Sequence, residues 1–409
     1  MRLHFLVSME EQGKEVTKAG SAKGVFHNVV DGVTLFFCQL GRKIQEIYLL
    51  ISFGKCGQIF ETKKVETTIK LPSGGRMPIL GSGTWHPFYQ FSEMDTIGSL
   101  HAALEAGYRH FDLSPVHLNE TEIGIVLKEW FNSGKITRDE LFIVSKLSPM
   151  GNIPPKVEKY LNKTLKDLQL DYLDLFLIQL PVTFKEAFLE FTEEHEKMGL
   201  LPAPDLWFPW NLKGEVELNM NTDNKATWKE MEQLVHTGKV RAIGLSNFNI
   251  PQIEEIIQIA QVPISNLQIE MHVYFQQKEL HDFCKSKGIP ITAHTPLGSA
   301  GYIKTMQYKK IQNFYNPLLD PRIEVIALKH GKSTAQVLLR FLIQKGVSVI
   351  PKSVDKKRLQ ENMDVFNWNL DSSDMTDLES FKRGSEARVV DYTAVFKGID
   401  KHPKYPFKV

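Results

Sequence analysis

The sequence predicts an α/β fold, a (β/α)8 TIM barrel with an N-terminal β-hairpin and long rim loops. From about Thr67 onward, short apolar runs alternate with amphipathic stretches, which is typical of parallel strands joined by crossover helices. Eight strands and eight helices within about 310 residues favour a closed barrel over an open sheet. Polar residues also gather where the apolar runs end, the edge at which a barrel builds its active site.

The predicted strands are recognised as short apolar runs bounded by loop residues. In chain order they are PILGSGTW (78–85), RHFD (109–112), LFIVSKL (141–147), LDLFLIQL (173–180), AIGLS (242–246), LQIEM (267–271), PITAHTPL (290–297) and GVSVIPKS (346–353). Predicted helices between them include MDTIGSLHAALEAG, TEIGIVLKEWFNSG, PKVEKYLNKTLKDLQL, NKATWKEMEQLVHTG and IPQIEEIIQIA. Several of these end at the glycine expected just past a helix.

Composition excludes several classes of protein. Lys and Arg number 49 against 48 Asp and Glu, so no strong field favours nucleic acid or an anionic membrane. The three cysteines, Cys38, Cys56 and Cys284, form no CxxC pair, which argues against a disulfide framework or a structural zinc site. No run reaches the roughly 18 apolar residues of a membrane span. The expected partner is a small molecule.

Residues 1–65 read differently from residues 66–409, which we assign to the barrel. The first segment has no sustained helical or strand period, and we predict a disordered or non-native extension. A displaced signal sequence is the alternative, because Arg42 and Lys43 precede an apolar run and small residues. We expect a cytoplasmic protein. If the protein were secreted, the triplets beginning at Asn119 and Asn162 would be glycosylation sites.

Seven polar side chains stand at or just after the ends of successive predicted strands. They are Asp112, Lys146, Gln179, Ser246, Gln268, His294 and Lys352. Any one of them taken alone is explained equally well as a helix cap or a loop contact. In a closed barrel, however, all seven converge on one pocket, which is the stronger indication of a functional site.

The sequence contains no G-x-G-x-x-G and no P-loop, so a nucleotide would not be held in the Rossmann manner. The best phosphate-binding stretch is IPKSVDKKRLQEN, where a strand ends at Lys352 and Ser353 and a helix beginning near Asp355 carries Arg358. A helix N-terminus with two cations suits a phosphate. The alternative is an ordinary basic amphipathic helix.

From about Thr67 to Val409 the chain resembles the aldo-keto reductases. The matching segments follow the family order: LGSGTW, LEAGYRHFD, NETEIG, LFIVSKL, LDYLDLFLI, GKVRAIGLSNFN, TPLGS, IPKSV and RLQEN. The resemblance implies a monomeric NADPH-dependent oxidoreductase that reduces a small aldehyde or ketone. It places the nicotinamide carboxamide on Ser246, Asn247 and Gln268, the 2′-phosphate on Lys352, Ser353 and Arg358, and the adenine on Glu361 and Asn362. Thr84, His294 and Leu297 complete the expected cofactor site.

The family's catalytic residues are Asp, Tyr, Lys and His, and only two of them are present in this chain. Asp112 and Lys146 match, whereas His117 takes the place of the tyrosine and Gln179 that of the histidine. His294 also stands where the family usually stacks a tyrosine on the nicotinamide ring. We therefore predict a catalytic group of Asp112, His117, Lys146 and Gln179 with an altered proton donor.

Carbonyl reduction needs a proton or a strong hydrogen bond for the developing oxyanion. The Lys146 cation favours a neutral His117 imidazole, which can still polarise a carbonyl through its N–H. Imidazole is shorter than phenol, so a bridging water or a shifted substrate would have to close the gap. Gln179 can orient a carbonyl but cannot titrate.

Two alternatives to an altered reductase stay open. The first is a catalytically silent protein that binds NADPH as a redox sensor or carries a hydrophobic ligand. The second is a metal site formed by His117, His294 and Asp112. The metal site is disfavoured because these residues lack ligand spacing and Lys146 would repel a cation, so we predict no metal.

The predicted substrate pocket is apolar and aromatic, suited to a lipid-like, steroid-like or aromatic carbonyl. The segment from Thr183 to Asn224 is a long excursion at the rim. The aromatic residues assigned to substrate are Trp85, Phe88, Trp207 and Phe208. The alternative is that these aromatic residues only pack the loop against the barrel and do not contact substrate. By resemblance, the tail after the last helix folds over the pocket and helps to select the substrate.

Overall fold

The computed structural model describes residues 67–85, 93–186, 208–299, 301 and 316–407. All of these residues belong to one unit, Val65–Val409. The proposed extension, residues 1–65, lies outside the described residues, so its boundary with the barrel stays a prediction.

The described chain opens with the predicted β-hairpin. Strand β1 (Thr68–Lys70) pairs antiparallel with β2 (Arg76–Pro78). The turn between them contains Gly74 and Gly75, both with positive φ, a conformation that glycine adopts without steric cost.

Eight parallel strands follow, and their hydrogen-bonded order is their order in the chain. They are β3 (Ser82–Gly83), β4 (His110–Asp112), β5 (Phe142–Leu147), β6 (Leu175–Ile178), β9 (Ile243–Ser246), β10 (Leu267–Glu270), β11 (Ile291–His294) and β12 (Ser348–Val349). The Val349 N–H donates to Ile79 O (2.8 Å), and the Gly81 N–H donates to Val349 O (2.9 Å). These bonds join the last strand to the first and close the barrel, which confirms the predicted fold.

Helices cross between the strands on the outside. They are α1 (Glu93–Glu105), α2 (Glu120–Asn132), α3 (Val157–Leu168), α4 (Asn224–His236), α5 (Ile250–Ile257), α6 (Lys278–Ser286), α7 (Pro321–His330), α8 (Thr334–Gln344), α9 (Lys356–Met363) and α10 (Ser372–Ser380). Side-chain caps begin many of them; for example, Asp223 accepts from Ala226 N at 3.0 Å. None of the described helices is long and apolar enough to span a membrane.

The alternation of side chains along β5 determines that Lys146 faces the barrel interior. Along β5, Phe142 and Val144 pack inside the barrel with the hairpin, whereas Ile143 packs toward the helices. Because side chains alternate with a period of two, Lys146 must share the interior face with Val144. Its position near the carboxyl end of β5 puts the ammonium at the top of the barrel, where the other strand ends meet.

The rim excursion is anchored at both ends. Strand β7 (Thr183–Phe184) pairs antiparallel with β8 (Leu218–Asn219). The Thr222 hydroxyl lies 2.8 Å from Thr183 Oγ1 and 2.9 Å from His402 Nε2. The ends of the excursion are therefore tied to each other and to the C-terminal segment. Residues 187–207 lie outside the described residues.

Helices α2 and α3 meet at two buried positions. A Cβ at Gly124 would collide with the main-chain oxygen of Asp167 and lie 2.9 Å from Leu168 Cα. One turn earlier, the buried Glu120 carboxyl accepts hydrogen bonds from Ser145 Oγ (2.6 Å) and Thr164 Oγ1 (3.1 Å). This contact joins α2, β5 and α3.

Gly124→Ala should destabilise the protein by about 1–3 kcal/mol, because the added methyl overpacks a backbone contact. Gly98 in α1 is the matched control, since no described heavy atom lies within 4 Å of a Cβ built there. Gly98→Ala should stabilise the helix by roughly 0.5–1 kcal/mol. Urea unfolding measures both variants, and equal stabilities would contradict the close approach of α2 to α3.

Burial raises the pKa of the Glu120 carboxyl to about 7, while the hydrogen bonds from Ser145 and Thr164 act to lower it. The native state therefore favours the protonated carboxyl. This contribution to stability is fully present below the unfolded pKa near 4.5 and is lost as the pH rises through about 7. Glu120→Gln stays neutral, so its stability relative to wild type should increase between pH 5 and 8, by at most about 3 kcal/mol. Urea unfolding across this range checks it; a constant difference would refute the assignment.

Candidate active site

The centre of the site is a buried ion pair. Lys146 Nζ lies 2.9 and 2.7 Å from the two carboxylate oxygens of Asp112 and also donates to Leu113 O at 2.8 Å. Gln268 Nε2 donates to Asp112 Oδ1 at 2.6 Å. Both charged residues are 3% exposed. The pair is stable in this environment because the surrounding groups satisfy its remaining hydrogen-bonding capacity.

A second network surrounds Gln179 and Asn247 on the neighbouring strand ends. Ser114 Oγ donates to Gln179 Oε1 at 2.8 Å. Asn247 Nδ2 lies 3.1 Å from Gln179 O, 3.0 Å from Ser246 Oγ and 3.0 Å from the Tyr392 hydroxyl. The Asn247 backbone has a φ of 62°, a left-handed conformation that Asn tolerates better than most residues.

His294 ends β11 beside this network. Its Nε2 lies 3.2 Å from Asn247 Oδ1, and its Nδ1 lies 3.0 Å from Thr295 Oγ1. Burial lowers the pKa of His294 to about 4, although the negative charge of Glu270 acts to raise it. His294 is therefore a neutral flat ring at pH 7.

His117, in a single 3₁₀ turn after β4, contacts the end of β3. Its Nδ1 lies 3.0 Å from Thr84 Oγ1, which also donates to Asp112 O at 2.9 Å. Asn119 Nδ2 donates to Thr84 O at 2.9 Å. The predicted catalytic position His117 is thus joined through Thr84 to the residue that carries the buried carboxylate.

The C-terminal segment is bound to the strand ends. The N–H groups of Val389 and Val390 donate to the two carboxylate oxygens of Glu270 at 2.6 and 2.7 Å. Burial acts to raise the pKa of Glu270, but the hydrogen bonds and charges around it, first that of His272, leave the pKa below its usual range. The carboxylate therefore stays ionised and holds the tail over the barrel, where the Tyr392 hydroxyl reaches Asn247.

An aromatic cluster covers one side of the site. The Phe208 and Phe396 rings lie 4.8 Å apart between centroids, and Phe184 lies 5.0 Å from Phe396. Trp210 stacks on Phe396 at 6.2 Å. Phe208 is only 8% exposed, so it pins the rim segment to the C-terminal segment. Its predicted contact with substrate stays a prediction.

The predicted phosphate site lies at the N-terminus of α9. Asp355 Oδ1 accepts from Arg358 N at 2.9 Å, and Asp355 N donates to Ser353 Oγ at 3.1 Å. The Arg358 side chain is exposed. Burial lowers the pKa of Lys352.

The other residues predicted to contact cofactor or substrate differ in burial. Trp85, Leu297 and Glu361 are partly buried. Asn362 is buried and bonds with the Tyr108 hydroxyl. Phe88 and Trp207 lie outside the described residues. Within the described part of the chain, no cluster of three or more His, Cys, Asp or Glu side chains could hold a metal ion.

The buried polar groups of the site are of the chemical types that a nicotinamide nucleotide needs. Ser246 and Gln268 are register partners on adjacent strands, and with Asn247 they present buried hydroxyl and amide groups. Such groups both donate and accept, which is what a carboxamide requires. The cations at the start of α9 suit a phosphate.

Sequence reasoning missed three contacts. Ser114 fixes the Gln179 amide, Glu270 holds the tail, and Tyr392 reaches Asn247. The alternation of β10 could have identified Glu270, because it lies two residues after Gln268 and thus on the same face. The only sequence signal for Tyr392 is an aromatic residue within the tail.

Comparison with known proteins identifies the class. The Aldo/keto reductase family model matches residues 79–383. A mouse relative, aldo-keto reductase family 1 member A1, is 38% identical over 348 residues, covering 83% of this chain and 98% of that protein. Aldo-keto reductase family 4 member C11 of Arabidopsis thaliana is 38% identical over 328 residues, covering 80% and 91%.

The solved structure of the aldose reductase from Schistosoma japonicum matches with a TM-score of 0.70 and 36% identity, covering 84% of this chain and 99% of that one. These matches define an oxidoreductase barrel that acts on small-molecule carbonyl compounds. The chain belongs to the aldo/keto reductase family.

Lys146→Met should lower the free energy of unfolding by about 3–5 kcal/mol, because it leaves the Asp112 carboxylate buried without its counter-charge. Adding Asp112→Asn should recover part of the loss, since both charges are then gone. Denaturant unfolding of the single and double variants tests this. A single variant as stable as wild type would show that the pair is not buried as described.

Proposed function

We propose that the protein is an NADP(H)-dependent oxidoreductase that reduces an apolar or aromatic carbonyl compound with an altered proton donor. The observation that carries this proposal is the buried Asp112–Lys146 pair, bonded to Gln268 beside the amide and hydroxyl groups of Asn247 and Ser246. These groups gather charge and amide donors at the carboxyl ends of the strands, where barrel enzymes act.

In this proposal the cofactor, when bound, supplies the hydride. Ser246, Asn247 and Gln268 would hold its carboxamide, and His294 would contact the nicotinamide. Because the ring of His294 is uncharged at pH 7, it would add no positive charge beside the cofactor.

His117 supplies the proton to the carbonyl oxygen, directly or through a water. Gln179 orients that oxygen. Since the Ser114 hydroxyl donates to Gln179 Oε1, the amide NH₂ of Gln179 is the group left to donate to a substrate. Lys146 adds positive charge that stabilises the developing oxyanion.

The substrate class is inferred from the side of the site that the tail and the rim segment cover. Phe184, Phe208, Trp210 and Phe396 belong to one apolar cluster there, in which Trp210 is partly exposed. Apolar surroundings favour ligands with large apolar surfaces. We infer a hydrophobic or aromatic carbonyl compound. The monomeric state and the cytoplasmic location remain predictions from the sequence.

The preference for NADPH over NADH should depend on Arg358. Fluorescence titration should give tight NADPH binding, and Arg358→Gln should raise the Kd for NADPH about tenfold or more by removing a charged hydrogen-bond donor. The Kd for NADH, which lacks the 2′-phosphate, should barely change. Lys357→Gln, an exposed neighbour on the same helix, is the control and should leave both values unchanged.

In the same samples, turnover against aldehydes, quinones and ketosteroids tests the reductase activity. Binding followed by oxidation of NADPH supports the proposal. Binding without turnover of any compound would favour the silent sensor or carrier. No binding of NADPH would overturn the cofactor assignment and the proposal with it.

A further inference from the structure

The hydroxyl of Tyr392 has a hydrogen to donate. Its oxygen lies 3.0 Å from Asn247 Nδ2, which in turn lies 3.1 Å from Gln179 O. A main-chain oxygen can only accept, so the nitrogen of the Asn247 amide must face Gln179 O, and the same nitrogen donates to the phenol oxygen. The phenol oxygen is therefore an acceptor in this contact. Within the described residues no other group is hydrogen-bonded to the hydroxyl, so its hydrogen remains to be donated.

The backbone of Tyr392 is held in an unfavourable conformation. Its φ is 65°, in the left-handed region that bulky side chains rarely adopt. Just before it, the N–H groups of Val389 and Val390 donate to the two carboxylate oxygens of Glu270 at 2.6 and 2.7 Å. A strained residue held by a buried carboxylate is more typical of a functional side chain than of a packing residue.

The Tyr392 ring lies between the aromatic cluster and the polar strand ends. It is nearly parallel to the rings of Phe396 (14°, centroids 6.5 Å apart) and Phe407 (10°, 6.3 Å). The ring packs against the buried cluster that contains Phe208, whereas the hydroxyl reaches Asn247. The phenol therefore stands between the apolar surroundings proposed for the substrate and the amide proposed for the nicotinamide.

The contact with Asn247 relates the hydroxyl to the reacting carbon. In a nicotinamide, the carboxamide is carried by the ring carbon next to the one that donates the hydride. A carbonyl group that accepts the hydride must therefore lie close to the residues that hold the carboxamide. Asn247 can serve both contacts, because Nδ2 donates to Tyr392 while Oδ1, 3.2 Å from His294 Nε2, has a second lone pair for a carboxamide N–H.

We propose that the Tyr392 hydroxyl donates a hydrogen bond to the carbonyl oxygen of the substrate and stabilises the negative charge that develops there, and that Glu270 positions Tyr392 for this role. This inference rests on the proposed function, because it concerns the same site and the same reaction. Hydrogen-bond donors that are already aimed at a developing oxyanion are among the most effective catalytic groups.

Tyr392 does not replace His117 as the proposed source of the proton. The hydride adds to the carbonyl carbon, the π electron pair of the carbonyl moves to its oxygen, and that oxygen takes the proton from His117. The phenol keeps its own O–H bond throughout. Burial raises the pKa of Tyr392, so the hydroxyl stays protonated and remains a donor at neutral pH.

The first test removes the hydroxyl and keeps the ring. In Tyr392→Phe, kcat for reduction of 1-tetralone with NADPH should fall by about 10²-fold, the loss typical of one oxyanion donor. KM should change by less than about threefold, because the lost interaction is made mainly in the transition state. The carbonyl oxygen is the only hydrogen-bond acceptor of 1-tetralone, so the loss reports on that oxygen. An unchanged kcat, or a loss confined to KM, would overturn the proposal.

Tyr172→Phe is the matched control. Tyr172 lies just before the amino end of β6, and its ring contacts Arg138 and Arg241, so kcat should equal that of wild type. The Kd for NADPH should also stay within about threefold of wild type in Tyr392→Phe, because the two hydrogens of Asn247 Nδ2 keep Gln179 O and Ser246 Oγ as acceptors.

The second test reads the hydrogen bond without turnover. 1-Tetralone labelled with ¹³C at the carbonyl carbon is bound to the protein with NADP⁺, which has no hydride to give, and its carbonyl stretch is measured by infrared difference spectroscopy. Because a hydrogen bond weakens the C=O bond, the stretch should lie at a lower wavenumber in wild type and Tyr172→Phe than in Tyr392→Phe. Equal wavenumbers in all three proteins would overturn the proposal.

The role of Glu270 is tested by a double-variant cycle. Glu270→Gln removes one of the two acceptors that hold the tail, so kcat should fall. Adding Tyr392→Phe to it should then cost less than it costs in wild type, because the hydroxyl is already displaced. Fully additive losses would mean that Glu270 acts independently of Tyr392 and would overturn its positioning role.

Failure of the proposed function is distinguishable from failure of this inference. Absence of NADPH binding, or binding without reduction of any carbonyl compound, would overturn the proposed function and this inference with it. NADPH binding and reduction of 1-tetralone at the wild-type rate by Tyr392→Phe would overturn this inference alone.

Discussion

The buried ion pair of Asp112 and Lys146 is the interaction on which the rest of the site depends. Burying two charges is costly unless their geometry is good and their remaining hydrogen-bonding capacity is satisfied. Here Leu113 O and the Gln268 amide complete it. Because these groups come from β4, β5 and β10, the pair requires a closed barrel in one register. A slip of one residue in β5 would turn Lys146 toward the helices.

Around this pair, the chemistry is set by hydrogen bonds that fix orientation. Ser114 orients the Gln179 amide, and Thr84 contacts the His117 ring. An imidazole differs from a phenol in kind, because its neutral form has both a donor and an acceptor nitrogen. In the proposed reaction, His117 would therefore offer the substrate a different donor from a phenol.

Much of the fold follows from periodicity, whereas the contacts that decide the chemistry do not. Eight apolar runs predict the eight barrel strands. In the run at residues 78–85 the barrel strand covers only Ser82–Gly83, because Pro78 belongs to the hairpin strand β2. The convergence of Asp112 and Lys146 follows from their places at strand ends. The contact of Tyr392 with Asn247 joins residues 145 apart in the chain, and no local pattern encodes it.

Isotope transfer tests whether this pocket moves a hydride between a nicotinamide cofactor and a carbonyl carbon. The protein is incubated with NADPH carrying deuterium at C4 of the nicotinamide and with 1-tetralone, and the product is examined by mass spectrometry. We expect 1-tetralol with one deuterium on the carbinol carbon, and none when the protein is omitted. Alcohol without the label, or no alcohol while NADPH is bound, would show that the pocket does not transfer the hydride.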